Sequence, residues 1–263
     1  MTLRGPEKLP GTRPAGALDE RDASARVRKM FTRIAPRYDF LNHLLSFSLD
    51  RLWRRRTSRH FRQILSRPDA RILDICCGTG DLAFALDRAR ARSLPRAAVG
   101  SRLPIFASDF VEPMLLQARE KSKRGGLSAI FIAADALSLP FPSDSFDLVT
   151  SAFGFRNLSN YEHGLLEFAR VLRPGGALGI LEFTEPEHGP MAALFRFYFQ
   201  HILPRLGRAI SGDSDAYSYL PASISKFPSP PALAALIARC GFSQVQFASW
   251  NFGSVILHSA TRD

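Results

Sequence analysis

Apolar residues recur along this chain in short blocks, and the blocks alternate between two spacings. Arg71–Cys76, Pro104–Ser108, Ser128–Ala133, Phe146–Ser151 and Ala177–Phe183 are brief, nearly continuous apolar runs. That is the pattern of strands buried on both faces. Between them, Asp81 to about Arg90, Glu112–Lys123 and Asn160–Leu172 carry the three-to-four-residue period of amphipathic helices, the last broken by Arg173-Pro-Gly-Gly176. Strands alternating with helices predict a parallel sheet covered on both sides. Towards the end, Ser229 caps a helix that has Pro230 in its first turn and Gly241 just beyond its end. Two last strands, Ser243–Ser249 and Ser254–Ala260, are close enough to pair antiparallel. The expected fold is therefore α/β and Rossmann-like: a mostly parallel seven-stranded sheet ending in an antiparallel hairpin, with helices on both faces.

Three segments stand outside this alternation. Residues 1–24 hold Pro, Gly and Arg with little to bury, and read as a disordered tail. Within the remaining single domain, 25–263, Ala25–Ile34 and Asp50–Leu65 predict N-terminal helices (25–66), the second placing Leu52, Phe61 and Leu65 near one face. Residues 185–227 contain Met191-Ala-Ala-Leu-Phe-Arg-Phe-Tyr-Phe199 and no clear strand, and are expected as a lid insert over the carboxyl ends of the strands.

Charge adds a second layer. The formal net charge is +11, and between Asp50 and Arg71 there are eight arginines (51, 54, 55, 56, 59, 62, 67 and 71) against two aspartates. Such a balance fits nucleic acid, an anionic membrane surface or a solvated helix face. Three cysteines, two of them adjacent (Cys76, Cys77), form neither a disulfide framework nor a metal-ligand spacing, which favours a reducing cytoplasm. The first residues lack the apolar core of a secretory signal, and no run approaches a membrane span.

The chemistry concentrates where strands end. Ile72-Leu-Asp-Ile-Cys-Cys-Gly-Thr-Gly-Asp81 puts Gly78 and Gly80 between the first strand and its helix, where a ligand meets backbone without a Cβ in the way. Asp109 ends the second strand, 29 residues after Gly80, placed to accept both hydroxyls of a ribose. Asp135 ends the third strand and can accept from an adenine amino group while the Ala136 amide donates to the ring. Carboxylates at the ends of three successive strands (Asp74, Asp109, Asp135) suit a ligand with a sulfonium and an amino group, and suit a phosphate poorly.

Further along, the chain resembles the ubiquinone/menaquinone-biosynthesis C-methyltransferase family, within the class I S-adenosyl-L-methionine-dependent methyltransferases, from about Val27 to His258. The likeness rests on Tyr38-Asp-Phe-Leu-Asn-His-Leu-Leu-Ser46 with Arg51-Leu-Trp53, on Phe153-Gly-Phe-Arg-Asn157, and on Arg170-Val-Leu-Arg-Pro-Gly-Gly176 leading to Leu181-Glu-Phe183. Tyr217-Ser-Tyr-Leu-Pro221 and Asn251–His258 complete it. The family usually has His where Asp50 stands, and a cofactor-contacting Ser where Ala152 stands, Ser151 being one place earlier. The resemblance implies S-adenosyl-L-methionine as cofactor, held by Thr79, Asp109, Asp135 and Ala136; Asp74, Gly78 and Gly80 join them from the strand-end reading. The resemblance also implies methylation of a ring carbon of a polyprenylated quinol precursor, demethylmenaquinol first among them.

A ring carbon becomes a good nucleophile when the adjacent hydroxyl is deprotonated, so such a site needs a cation or a base. Arg156 is assigned the electrostatic work, Asn157 the orientation of a hydroxyl or water, and Tyr38 or water the proton relay. A structural salt bridge from Arg156 to Asp39 or Glu182 is the plain alternative. Tyr217 or Tyr219 could line the ring pocket, and Phe195, Phe197 and Phe199 the exit for an isoprenoid tail. The arginine helix could rest on anionic headgroups, making the protein peripheral to a membrane; oligomerisation stays open. The rival readings are a methyltransferase for RNA, one for another small aromatic or lipid acceptor, and a non-catalytic subunit of a quinone-synthesis complex. The first is disfavoured by the missing Asn/Asp-Pro-Pro-Tyr/Phe motif, so no nucleic-acid partner is expected.

Overall fold

The structure, a computed structural model, describes residues 11–39, 42, 46, 48–186, 197 and 214–263, with the side chains of 214–218 left out. Seven strands form one sheet: β1 (Ile72–Ile75), β2 (Ile105–Asp109), β3 (Ala129–Ala133), β4 (Phe146–Ala152), β5 (Leu172–Phe183), β6 (Phe242–Trp250) and β7 (Val255–Arg262). Their order is β3-β2-β1-β4-β5-β7-β6. The first five run parallel, and β7 lies antiparallel between β5 and β6. Because β1 is central, with β2 on one side and β4 on the other, the sheet changes winding direction there, and a crevice opens at the strands' carboxyl ends.

The helices follow the apolar period. They are α1 (Glu20–Ile34), α2 (Leu49–His60), α3 (Asp81–Ser93), α4 (Glu112–Gly125), α5 (Tyr161–Val171), α6 (Ser214–Ser225) and α7 (Pro230–Arg239), with one helical turn, Arg62–Leu65, after α2. The sheet separates two apolar cores. Leu165, Phe168, Leu233 and Ile237 from α5 and α7 cover one face, while Phe61, Leu86 and Leu115 cover the other. Arg173–Gly176 does not separate a helix from a strand that starts at Ala177. The pairing of β4 with β5 jumps from Phe146↔Leu172 to Leu148↔Ala177, so those residues bulge from a strand that has already begun.

Three expectations change. Residues 12–24 are not tail: Asp19 caps α1 by accepting from the Asp22 amide, and the Thr12 amide donates to the Leu158 carbonyl at 2.7 Å. Residues 1–10, and most of the expected lid insert including Phe195, Phe199 and His201, lie outside the described residues. In α2 the inward face is not the apolar stripe through Leu52, which is 38% exposed; it carries Asp50, Trp53, Arg54, Thr57 and Ser58 instead. The helix after the glycine turn runs past its expected end at about Arg90. Helix α3 runs to Ser93, and Arg90 is fully buried, donating to the carbonyls of Arg67, Pro68, Ala70 and Leu103.

Among the described residues no helix is long and apolar enough to cross a membrane. Arg90 is a clasp that satisfies four carbonyls of the chain entering β1 and β2. Arg90→Met keeps the bulk and removes the donors, and urea unfolding should show a loss of about 3 kcal/mol.

Candidate active site

The turn after β1 is built for close approach. Its backbone enters the left-handed region at Cys76 (φ 55°), Gly78 (φ 54°) and Gly80 (φ 87°). A Cβ at Gly80 would sit 2.9 Å from the Phe84 ring, so that glycine is a packing requirement of the helix start. Gly154 plays a matching role after β4: its Cβ would come within 2.3 Å of the Cys76 side chain. The two loops can lie side by side only because position 154 has no side chain.

Asp109 ties this turn to the neighbouring strand. Its Oδ2 accepts from the Gly78 amide at 2.8 Å and its Oδ1 from the Val111 amide at 2.8 Å. Burial pushes its carboxyl up to about 6, against those two amides, which pull it down. Asp135 is exposed at the rim, its Oδ1 accepting from the Leu137 amide at 2.9 Å.

Six of the residues singled out from the sequence line one cleft of about 630 Å³, partly open to solvent: Tyr38, Gly78, Asp109, Asp135, Ala136 and Asn157. Three of the expected cofactor contacts do not. Asp74 is completely buried beneath the turn, where Thr150 Oγ1 donates to its Oδ1 at 2.8 Å and the Ala83 amide also donates. Its Oδ2 has no partner, and burial pushes the carboxyl up to about 7. Thr79 donates to Asp39 Oδ1 and accepts from Lys121 Nζ at 3.1 Å, and Gly80 starts α3. These three shape the loop from behind. Ser151 is buried within β4 and is not among the lining residues. Burial pushes the Cys76 and Cys77 thiols well up, so neither is a ready nucleophile.

A second cavity, of about 740 Å³ and also partly open to solvent, shares Phe31, Tyr38 and Phe153 with the first. It is lined by Arg156, Tyr219, Asp50, Arg54 and Phe183 among others. Arg156 is 5% exposed and donates through one nitrogen to Glu182 Oε2 at 2.7 Å and to the Phe153 carbonyl at 2.6 Å. Burial alone disfavours its charge, but Glu182 outweighs that and raises its pKa, so it is a permanent cation. Of the two salt-bridge partners expected for it, Glu182 is the one found; Asp39 pairs with Lys121 at 2.8 Å. Asn157 Oδ1 accepts from the Tyr219 hydroxyl at 3.0 Å, and Thr12 Oγ1 lies 3.0 Å from the same hydroxyl. Burial raises the Tyr38 pKa, with a hydrogen bond to Asn42 and the charges of Arg156 and Arg54 opposing it. The Tyr217 side chain lies outside the described residues.

Sequence reasoning missed the roof, where α1 supplies Ser24 and Phe31, and it missed Arg54. That arginine is 7% exposed, not part of a solvated face. Arg56 is also engaged, its guanidinium 5.9 Å from the Trp250 ring. A signal for Arg54 existed, since Asp50 lies four residues before it on the same helix.

A sheet of this order with a glycine turn and a carboxylate at the ends of β1 and β2 defines a class I S-adenosyl-L-methionine-dependent methyltransferase. Solved structures share the fold: a possible histamine N-methyltransferase from Thermotoga maritima, at TM-score 0.60 and 17% identity, covers 90% of this chain and 100% of its own. A methyltransferase from Aquifex aeolicus, at TM-score 0.54 and 18% identity, covers 79% and 89%. Residues 19–262 match the ubiE/COQ5 methyltransferase family, and the chain belongs to it. It is 48% identical to the demethylmenaquinone methyltransferase of Thermus thermophilus over 89% of this chain and 100% of that one. With the Deinococcus radiodurans enzyme of the same name it shares 45% over 89% and 92%. With the ubiquinone/menaquinone biosynthesis C-methyltransferase UbiE of Geobacter sulfurreducens it shares 40% over 90% and 88%.

Asp74 makes stability depend on pH in a stated direction. Between the ordinary carboxylate range and pH 7 the folded state holds a proton the unfolded chain has lost, so stability falls as pH rises. The melting temperature of the protein without methyl donor should drop from pH 5 to pH 8, and Asp74→Asn should flatten that drop. An unchanged slope in the variant would show the carboxyl to be ionised throughout.

Proposed function

We propose that this protein transfers a methyl group from S-adenosyl-L-methionine to a ring carbon of a polyprenylated quinol precursor, with demethylmenaquinol as its principal acceptor. The observation that carries the reading is the meeting of two unlike cavities at Phe31, Tyr38 and Phe153. One is walled by carboxylates and has no Lys or Arg among its lining residues, which suits a cationic donor. The other is aromatic and holds two arginines, which suits a ring that carries charge on oxygen.

S-adenosyl-L-methionine supplies an electrophilic methyl group on a sulfonium, and the protein supplies alignment and charge. Asp109 would accept a hydrogen bond from each of two ribose hydroxyls; each of its oxygens already holds one amide and retains a second acceptor position. Asp135 would accept from the adenine amino group, and the Ala136 amide would donate to that ring. Gly78, with no Cβ, leaves room beside the turn, while Asp74, Thr79 and Gly80 hold the turn's shape. On the acceptor side Arg156 stabilises the phenolate that makes the ring carbon nucleophilic, because a guanidinium is too basic to take the proton itself. Asn157, fixed by Tyr219, orients the ring hydroxyl or a water. Tyr38, whose burial keeps its phenol protonated, passes a proton rather than acting as a lasting base.

Methylation assays on short-chain naphthoquinol and benzoquinol acceptors test this. The naphthoquinol should gain one ring methyl, read by mass spectrometry. Asp109→Ala should abolish donor binding by calorimetry. Arg156→Gln should keep donor binding and lose roughly a hundredfold or more in kcat, the scale of one lost electrostatic donor. Methylation of neither ring ends the proposal.

The same reading places the protein at the cytoplasmic face of the membrane that holds its acceptor. Arg51, Arg55 and Arg59 of α2, with Arg62 and with Arg88 and Arg92 of α3, line one surface groove. All six are exposed, and none is ion-paired with a described residue. A basic groove without acids fits anionic headgroups. Co-sedimentation should rise with the phosphatidylglycerol content of vesicles and fall on Arg55→Glu with Arg88→Glu. Binding indifferent to both removes the membrane contact from the scheme.

A further inference from the structure

The acceptor cavity contains a second buried arginine–carboxylate pair that the reaction described above leaves unused. Among the α2 arginines 51, 54, 55 and 59, only Arg54 is buried, at 7% exposure; the others are exposed. It pairs with Asp50, itself 3% exposed, one helical turn earlier, and approaches Asp81 at 3.8 Å. Ser46 Oγ donates to Asp50 Oδ1 at 2.8 Å. Asp50 and Arg54 both line the cavity that Arg156 lines.

The two arginines are arranged alike. Arg54 sits 5.5 Å from the centre of the Phe153 ring and Arg156 sits 5.8 Å from that of Phe183, while those two rings lie 4.5 Å apart and tilted by 30°. Each guanidinium is thus held by a carboxylate and seated on one member of a single aromatic pair. The charge of each reaches the Tyr38 hydroxyl. Burying one such pair is costly and often gives no net stability; burying two in one cavity calls for a use.

We propose that Asp50 and Arg54 form a second polar anchor of the acceptor pocket, holding the ring oxygen para to the one at Arg156. This rests on the quinol reading. A 1,4-dihydroxylated ring has a donor and acceptor at each end, and a site that engaged only one hydroxyl would strand the other in an apolar enclosure. Arg54 donates to the distal oxygen, and Asp50 accepts its proton in a hydrogen bond. A carboxylate can only accept, so a carbonyl oxygen in that place meets a second acceptor and is disfavoured. The pair therefore selects the reduced ring over its oxidised dione, and over a ring whose distal hydroxyl is methylated. Asp50 and Arg54 are specificity residues: they touch the acceptor away from the carbon that gains the methyl group.

Two measurements test this with three short-chain probes: the 1,4-naphthohydroquinone kept reduced under anaerobic conditions, its 4-methyl ether, and the dione. The first is binding, read by quenching of Trp53, whose ring lies 6.0 Å from that of Phe153. The second is kcat/KM for methylation of the hydroquinone and its ether; the dione, with no ring hydroxyl to activate a carbon, serves in the binding measurement alone. Wild type should prefer the hydroquinone to the ether and the dione. Asp50→Asn and Arg54→Gln should each shrink that preference by roughly tenfold or more, the effect of one charge-assisted hydrogen bond, mainly through KM. Their affinity for S-adenosyl-L-methionine should stay at the wild-type level. Arg54→Gln removes the buried charge beside Asp50, while Asp81 keeps Lys121, and can unfold the helix; Asp50→Asn keeps the shape and removes the charge, so it decides the matter if the first variant melts early. A preference retained in folded Asp50→Asn, or absent from wild type, overturns the anchor. Selective binding lost in the variants, with no methylation by wild type, would instead sustain the anchor and overturn the methyl-transfer reading. Failure of wild type to bind any of the three rings overturns both.

Discussion

The whole site depends on one hydrogen-bonded carboxylate. Asp109 ends β2 and accepts the Gly78 amide from the turn after β1, so the side chain of one strand sets the backbone of the next strand's loop. Parallel pairing makes this possible: Ile75 lies beside Ser108, and the two strands therefore leave the sheet at the same level. Together with the Cys77 amide, which donates to the Ser108 carbonyl at 3.0 Å, that bond fixes the left-handed turn through Cys76, Gly78 and Gly80 over the crevice. Gly154 then lets the loop after β4 close against the turn, and the cleft acquires its other wall. Cofactor geometry here follows from strand order and from two places where a side chain would not fit.

Arginine performs three different tasks in this protein, and only burial tells them apart. Arg90 ties four carbonyls together and never meets solvent. Arg54 and Arg156 are held by Asp50 and Glu182 inside the acceptor cavity. The exposed arginines of α2 and α3 face outward, in a groove with no acid among its described lining residues. A guanidinium suits all three because it is always charged, planar and rich in donors. Net charge on its own describes only the third group.

The N-terminal segment also gains a meaning that its composition hides. Thr12 and Arg13 bond the Leu158 and Ser159 carbonyls, Ser24 donates to the Ser159 hydroxyl at 3.0 Å, and α1 brings Phe31 over the boundary between the two cavities. Lys121 completes the attachment, donating to Asp39, Asp81 and Thr79 at once. The roof is thereby joined by charge to the turn that forms the floor.

The seven strands, their parallel start and antiparallel finish, and the carboxylates at the ends of β2 and β3 were legible in the sequence, because burial on both faces and strand-end chemistry leave local patterns. Short motifs also picked out Tyr38, Asn157 and Arg156, each of which lines one or both cavities. The choice of Glu182 over Asp39 as the partner of Arg156 was not legible, nor was the inward turn of Arg54, the retreat of Asp74, Thr79 and Gly80 behind the turn, or the roof from α1. Each depends on which surface lies opposite a side chain, and packing between distant segments decides that. A sequence records which residues can carry charge; only the folded chain determines which of those charges are removed from water and paired.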